Sequence, residues 1–215
     1  MTESYDVLLF DLGGVLVRAT GNPVAADGTL PADDDFWRRW LLSPAVRDFE
    51  SGRTSPEEFA RAVAAEFELE VGPDEFLRRF RAWPEGFYPG TSDLIELVSR
   101  RFRLACLSNS NPVHWDLLEG ELRLADLFEH RFASHLIGHV KPEREVFEHV
   151  VVELACEPSR VLFLDDNPLG VEGARKVGIS AHRARGLEDA VRVLRRAGVL
   201  GEDDVEHLGQ VFRAG

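Results

Sequence analysis

Four polar groups in this 215-residue chain stand at the ends of short apolar runs or between them. Asp11 follows Val7-Leu8-Leu9-Phe10, Ser108 and Asn109 follow the run Leu104 to Leu107, and Asp165 with Asp166 follow Val161 to Leu164. Lys141 lies between the last two, in Gly138-His139-Val140-Lys141-Pro142. A carboxylate can act as a nucleophile, a hydroxyl can hold phosphoryl oxygens, and an ammonium can neutralise charge that builds in a transition state. An acid pair offers the hard oxygen ligands that Mg²⁺ prefers. As a set these groups suit phosphoryl transfer.

Such chemistry needs elements that bring distant residues together. The runs at Val7, Leu104 and Val161, with a weaker one around Phe132 and Ala133, are fully apolar and end in polar or glycine residues, the pattern of buried parallel strands. Between them lie helical patterns: Val146, Phe147, Val150, Val151 and Leu154, and the shorter Leu94, Ile95, Leu97 and Val98. Asn111-Pro112 and Asn167-Pro168 each place a capping Asn before a proline suited to the first helical turn. The alternation predicts an α/β fold with a doubly wound parallel sheet, in which ligands bind beyond the carboxyl ends of the strands.

Residues 18–87 break this pattern, with helix starts at Ser43-Pro44, at Ser55-Pro56 with Glu58 as a capping box, and at Gly72-Pro73 with Glu75. They read as a helical cap domain between the two parts of a core, 1–17 and 88–215. The entry, Gly21 to Asp35, is polar and turn-rich, and the exit passes through Pro84, Gly86, Pro89 and Gly90, so both ends read as hinges or linkers.

Composition narrows the class of partner. The formal charge of −13, from 25 basic and 38 acidic side chains, opposes nucleic acid, and an anionic substrate needs a local positive device. Two cysteines, Cys106 and Cys156, do not make a disulfide framework, and no apolar stretch approaches the ~20 residues that cross a bilayer. No basic segment with a long apolar run opens the chain, so the cytoplasm is the expected address, with no membrane or nucleic-acid partner and a monomer or homodimer as the expected state.

The chain resembles the haloacid dehalogenase-like (HAD) hydrolases that carry a helical cap after the first strand, and the resemblance spans nearly its whole length. Phe10-Asp11-Leu12-Gly13-Gly14-Val15-Leu16 looks like the first family motif, Leu107-Ser108-Asn109 the second, Lys141-Pro142 the third and Phe163-Leu164-Asp165-Asp166 the fourth. The resemblance implies that Asp11 is a nucleophile forming an aspartyl-phosphate, and that Mg²⁺ is held by Asp11, the Gly13 carbonyl and Asp165 or Asp166. It also implies that Ser108, Asn109 and nearby backbone N–H groups, Gly14 among them, bind the phosphoryl oxygens, that Lys141 neutralises charge, and that the cap chooses the leaving group. The expected substrate is a small phosphorylated metabolite, with sugar phosphates the first class to test.

The sequence departs from the family at two positions. Gly13 stands where most of its phosphatases have an aspartate that protonates the leaving group, a loss that can cost ~10² to 10⁴ in rate. Some sugar-phosphate phosphatases of the family have glycine there. Gly170 replaces an Asn often found near the metal, and Asn167 reads better as a helix cap than as its substitute. Two other readings follow from these departures: a metal-independent 2-haloacid dehalogenase, although Gly13-Gly14-Val15 does not look like the aromatic-Gly-Thr pattern of those enzymes, and a phosphate-binding module that has lost turnover.

Other residues have plainer readings. A lone acid after a strand is usually a solvated loop residue, and Asp165-Asp166 alone would read as a turn, but the four-motif order favours a site. His135 and His139 have i, i+4 spacing, yet Gly138 interrupts any helix and they read as structural. Trp37, Trp40, Trp83 and Phe87 read first as core of the cap, and Arg38, Arg39, Arg47 and Arg53 as a solvated face.

Overall fold

The computed structural model describes residues 4–19, 22–24 and 33–214. In chain order its main elements are β1 (Val7–Phe10), β2 (Val17–Arg18), α1 (Asp34–Leu42), α2 (Pro44–Glu50), α3 (Pro56–Glu66), α4 (Pro73–Arg81), β3 (Gly86–Phe87), α5 (Thr91–Ser99), β4 (Arg103–Ser108), α6 (Pro112–Gly120), β5 (His130–Ala133), α7 (Ser134–Ile137), α8 (Arg144–Leu154), β6 (Val161–Asp165), α9 (Pro168–Lys176), β7 (Ser180–Arg183), α10 (Gly186–Arg196) and α11 (Glu202–Ala214).

Five strands form a parallel sheet in the order β5-β4-β1-β6-β7. The α/β class and parallel sheet expected from the apolar runs are therefore present. Because both faces are covered, successive residues of one strand enter different cores. Leu8 and Phe10 of β1 join Leu162 and Leu164 of β6 on one face, under α5, α6 and α10. Val7 and Leu9 join Val161 and Phe163 on the other, under α8 and α9. This two-sided burial is why these strands lack an apolar–polar alternation.

The edge strand β7 was not foreseen. Its sequence is Ser180-Ala181-His182-Arg183, with His182 and Arg183 exposed, so it carries no continuous apolar run to reveal it. The short antiparallel pairing of β2 with β3, Val17 opposite Phe87 and Arg18 opposite Gly86, was also unannounced. It joins the entry and exit of the inserted helices, and Gly86 meets the need for a positive φ of 113° there.

Helices α1 to α4 pack around their own aromatic cluster, in which Phe49 and Phe59 stack at 4.2 Å and both contact Phe80. The local signals behave as expected: Ser43 caps α2 by accepting from the Val46 N–H, and Ser55 with Glu58 forms a complete capping box on α3. Asn111 and Asn167 cap α6 and α9. The parts of the polar entry at 21 and 25–32 lie outside the described residues.

The helical insertion is fastened to the sheet-bearing part mainly through the end of α2. Ser134 donates its hydroxyl to the Glu50 carbonyl, Arg47 pairs with Glu143, and His114 of α6 bonds the Phe80 carbonyl at 2.6 Å. At Gly52, φ is +74° and a β-carbon would lie 2.5 Å from the His135 carbonyl oxygen, so only glycine lets α2 come this close.

Phe59 is 1% exposed at the centre of the insertion's cluster. Phe59→Ala is expected to cost about 3–5 kcal/mol of stability, read as a lowered midpoint in chemical denaturation.

Candidate active site

The loop after β1 is wound tightly, the Leu12 carbonyl accepting from the N–H groups of Leu16 and Val17 at 2.9 and 2.7 Å. Asp11 leaves the central strand beside Asp165, which ends β6, with the Asp11 N–H bonded to the Leu164 carbonyl at 2.8 Å. Ser108 ends β4 on the other side. The side chains of Asp11, Ser108, Lys141 and Asp165 are all buried, at the floor of a cavity of about 450 Å³.

Lys141 reaches this floor from the loop before α8 and bridges two acids, lying 2.9 Å from Asp11 Oδ1 and 2.8 Å from Asp165 Oδ2. Asp11, Asp165 and Asp166 bring one oxygen each within 4.8 Å of one another. Three carboxylates thus surround one buried ammonium. Burial pushes Asp11 up to about 8; Lys141 opposes that rise, and Asp165 and Asp166 add to it. Asp166 is raised to about 6, by burial first and then by Asp165, against Lys141 and the rim residues Arg185 and Arg183. Burial alone would discharge Lys141, yet Asp11 and Asp165 raise it above its ordinary value.

With all three acids ionised the floor carries a surplus of two negative charges, which a divalent cation would balance. The donors are hard oxygens and lie close enough to share one ion, so Asp11, Asp165, Asp166 and the neighbouring Gly13 carbonyl fit such an ion.

The other predicted residues have definite places. The Asn109 side chain clamps the Lys141 backbone from both sides: its Oδ1 accepts from Lys141 N at 2.8 Å and its Nδ2 donates to the Lys141 carbonyl at 3.1 Å. Ser108 Oγ makes only a long 3.4 Å contact with the Asn109 carbonyl. Gly14, at φ +73°, packs so tightly that a β-carbon would sit 2.6 Å from Asp166 Oδ2. Gly170 does the same to Asp165, at 2.4 Å from Oδ2, so the residue that reads in sequence as a missing Asn is a requirement of the Asp165 position. Gly13 differs: a β-carbon there meets nothing within 4 Å.

Asn167 caps α9, and its own N–H bonds Asp165 Oδ1 at 2.7 Å, which steadies that carboxylate. His135 lies in α7, which ends at Gly138, while His139 pairs with Glu143 beyond it, away from the carboxylate floor. Trp37 and Trp83 stack at 5.6 Å, Trp40 belongs to the aromatic cluster, and all three also line the cavity, so wall and core are the same residues.

Reasoning from sequence missed Glu50, Arg183 and Arg185. Glu50 ends α2, is 8% exposed and lines the cavity, while Arg183 and Arg185 follow from the unforeseen edge strand. No spacing signal marks any of them, because each is brought in by packing of separate elements. Among the described residues, no helix is long and apolar enough to cross a membrane.

Comparison with known proteins agrees with this architecture. The family model for haloacid dehalogenase-like hydrolase matches residues 5–178. Flavin mononucleotide hydrolase 1 of Arabidopsis thaliana is 30% identical over 181 residues, covering 80% of this chain and 69% of the relative. D-ribitol-5-phosphate phosphatase of Bacteroides thetaiotaomicron is 25% identical over 186 residues, covering 80% and 87%. A HAD-family enzyme of the same bacterium, solved with magnesium and inorganic phosphate, superposes with a TM-score of 0.67 at 22% identity, over 84% of this chain and 94% of that one, and shows the shared fold.

The raised Asp11 gives a signed pH dependence. Between about pH 4 and 8 the unfolded chain has released a proton that folded Asp11 still holds, so cation-free protein is expected to lose stability as pH rises through that window. Thermal unfolding in chelator should show this slope, and Asp11→Asn should reduce it without removing it, since Asp166 and Glu50 are raised in the same sense.

Proposed function

The chain belongs to the haloacid dehalogenase-like hydrolases, and on that premise we propose that it is a Mg²⁺-dependent phosphatase of small phosphorylated metabolites. The observation that carries this reading is the charge at the cavity floor: three carboxylates against one buried ammonium, which suits a metal-assisted reaction on an anion better than a metal-free attack on carbon.

In this reading Asp11, Asp165, Asp166 and the Gly13 carbonyl hold the Mg²⁺. When bound, the ion screens repulsion between the Asp11 carboxylate and the phosphoryl oxygens. Asp11 attacks phosphorus and forms an aspartyl-phosphate, which water then hydrolyses. Ser108 Oγ and the backbone N–H of Asn109 hold phosphoryl oxygens, while Lys141 neutralises charge as the transition state forms; the Gly14 N–H, expected from the sequence to join them, instead closes its own loop by donating to the Val17 carbonyl at 3.0 Å. The Asn109 side chain serves by fixing the Lys141 loop, as its two bonds to that backbone support.

Residues 18–87 act as the cap that selects the leaving group. A flavin mononucleotide and a ribitol 5-phosphate both present a primary phosphate ester on a polyol chain, and the relatives named for them support sugar and polyol phosphates as the first class to test. The stacked pair Trp37 and Trp83 on the cavity wall suits a leaving group that also has a flat or apolar part.

Phosphate release from such esters is expected to need Mg²⁺, to stop in EDTA, and to fall by roughly 10³-fold or more in Asp11→Asn. A colorimetric phosphate assay over a panel of sugar, polyol and flavin phosphates provides the measurement. Undiminished turnover by Asp11→Asn would remove the assigned nucleophile.

A further inference from the structure

The phosphatase reading leaves one chemical requirement unmet. An ester of an ordinary alcohol needs a proton on its departing oxygen, and Gly13 cannot supply it. A replacement must line the same cavity, titrate near neutral pH and lie outside the carboxylate cluster.

Few groups qualify among the described residues that line the cavity. Asp35 and Glu172 are exposed. His114 is buried, and both ring nitrogens are engaged, Nε2 with the Phe80 carbonyl at 2.6 Å and Nδ1 with the Asn111 amide at 3.3 Å. Burial also holds its ring down to about 4, the Phe80 carbonyl opposing, so it carries no proton to give at neutral pH.

Glu50 remains. It lines the cavity at the end of α2, with Asn109 and Lys141 as its neighbours on the floor. The α2 end that bears it is fastened to the sheet-bearing part by the Ser134 hydroxyl, the Arg47–Glu143 pair and the close passage of Gly52 over His135. A carboxyl from the insertion is therefore held in register with the floor. From its position, resting on the phosphatase reading above, we propose that Glu50 is the general acid and base that replaces the residue missing at Gly13.

The proton balance closes. As an Asp11 oxygen bonds to phosphorus and the bond from phosphorus to the leaving oxygen breaks, Glu50 gives its proton to that oxygen, releasing an alcohol and becoming a carboxylate. Water then attacks the aspartyl-phosphate and passes a proton to Glu50. The bond from Asp11 to phosphorus breaks, and inorganic phosphate, the Asp11 carboxylate and protonated Glu50 result.

The surroundings of Glu50 agree with this role. Its charged neighbours are Lys141 and, on its own helix, Arg47 with Glu143 paired to it; α7, against which α2 packs, turns its His135 ring toward Trp115. Burial pushes its carboxyl up to about 7, while Lys141, Arg47 and Asn109 oppose the rise. A group poised there can both give and take a proton at neutral pH.

Leaving-group dependence in Mg²⁺ separates this proposal from its premise. kcat/KM is measured for an alkyl phosphate and for p-nitrophenyl phosphate, whose phenolate departs without a proton. Glu50→Gln is expected to lose about 10²-fold or more on the alkyl ester and to stay within a few fold on the aryl ester, with the fall in alkyl activity above pH 7 abolished. Glu50→Asp, which keeps a carboxyl, is expected to fall between wild type and Glu50→Gln, and it carries the measurement if Glu50→Gln does not fold. An alkyl-to-aryl ratio unchanged from wild type overturns the proposal, whether both activities persist or fall together. If the wild-type protein hydrolyses neither ester, the phosphatase reading fails and this inference goes with it.

Discussion

Three carboxylates converge on one ammonium at the end of the central strand, and much of the local structure exists to hold that unfavourable arrangement. Like charges brought together out of water repel and tend to neutralise by taking up protons. Here Lys141 answers part of the charge, and the tight approach of Gly14 to Asp166 and of Gly170 to Asp165 leaves those side chains no room to retreat. The sheet cores beneath offer the rigidity that such strain requires, with β1 and β6 wholly buried on both faces. A floor of this kind suits a divalent cation, whose charge would offset the repulsion among its carboxylates.

The insertion completes the site. Its aromatic cluster both supports α1 to α4 and lines the cavity through Trp37, Trp40 and Trp83, so changes that alter the wall also bear on the fold of the segment. Fastening through the end of α2 makes Glu50 part of the same assembly as Asn109 and Lys141, although some sixty residues of chain separate it from the first of them. On the proposed reading, chemistry on the phosphoryl group and chemistry on the leaving group come from different parts of the molecule.

What the sequence by itself determined is local. Fully apolar runs announce strands buried on both faces, Asn-Pro and Ser-Pro pairs announce helix starts, and polar groups at strand ends announce a site, because each depends on neighbouring residues alone. Thus Asp11, Ser108, Lys141, Asp165 and Asp166 were legible as a set, and their convergence at one cavity floor follows from the order β5-β4-β1-β6-β7. What only the tertiary structure decided depends on non-local packing. The edge strand β7 has too few apolar residues to stand out until it pairs with β6, and Gly170 reads as a loss until Asp165 is seen against it. Asn109 turns from the substrate toward the Lys141 backbone, and Glu50 becomes a cavity residue because α2 docks beside α7. Burial and approach distance set the charge state of these groups, and neither is a property of a residue's neighbours in the chain.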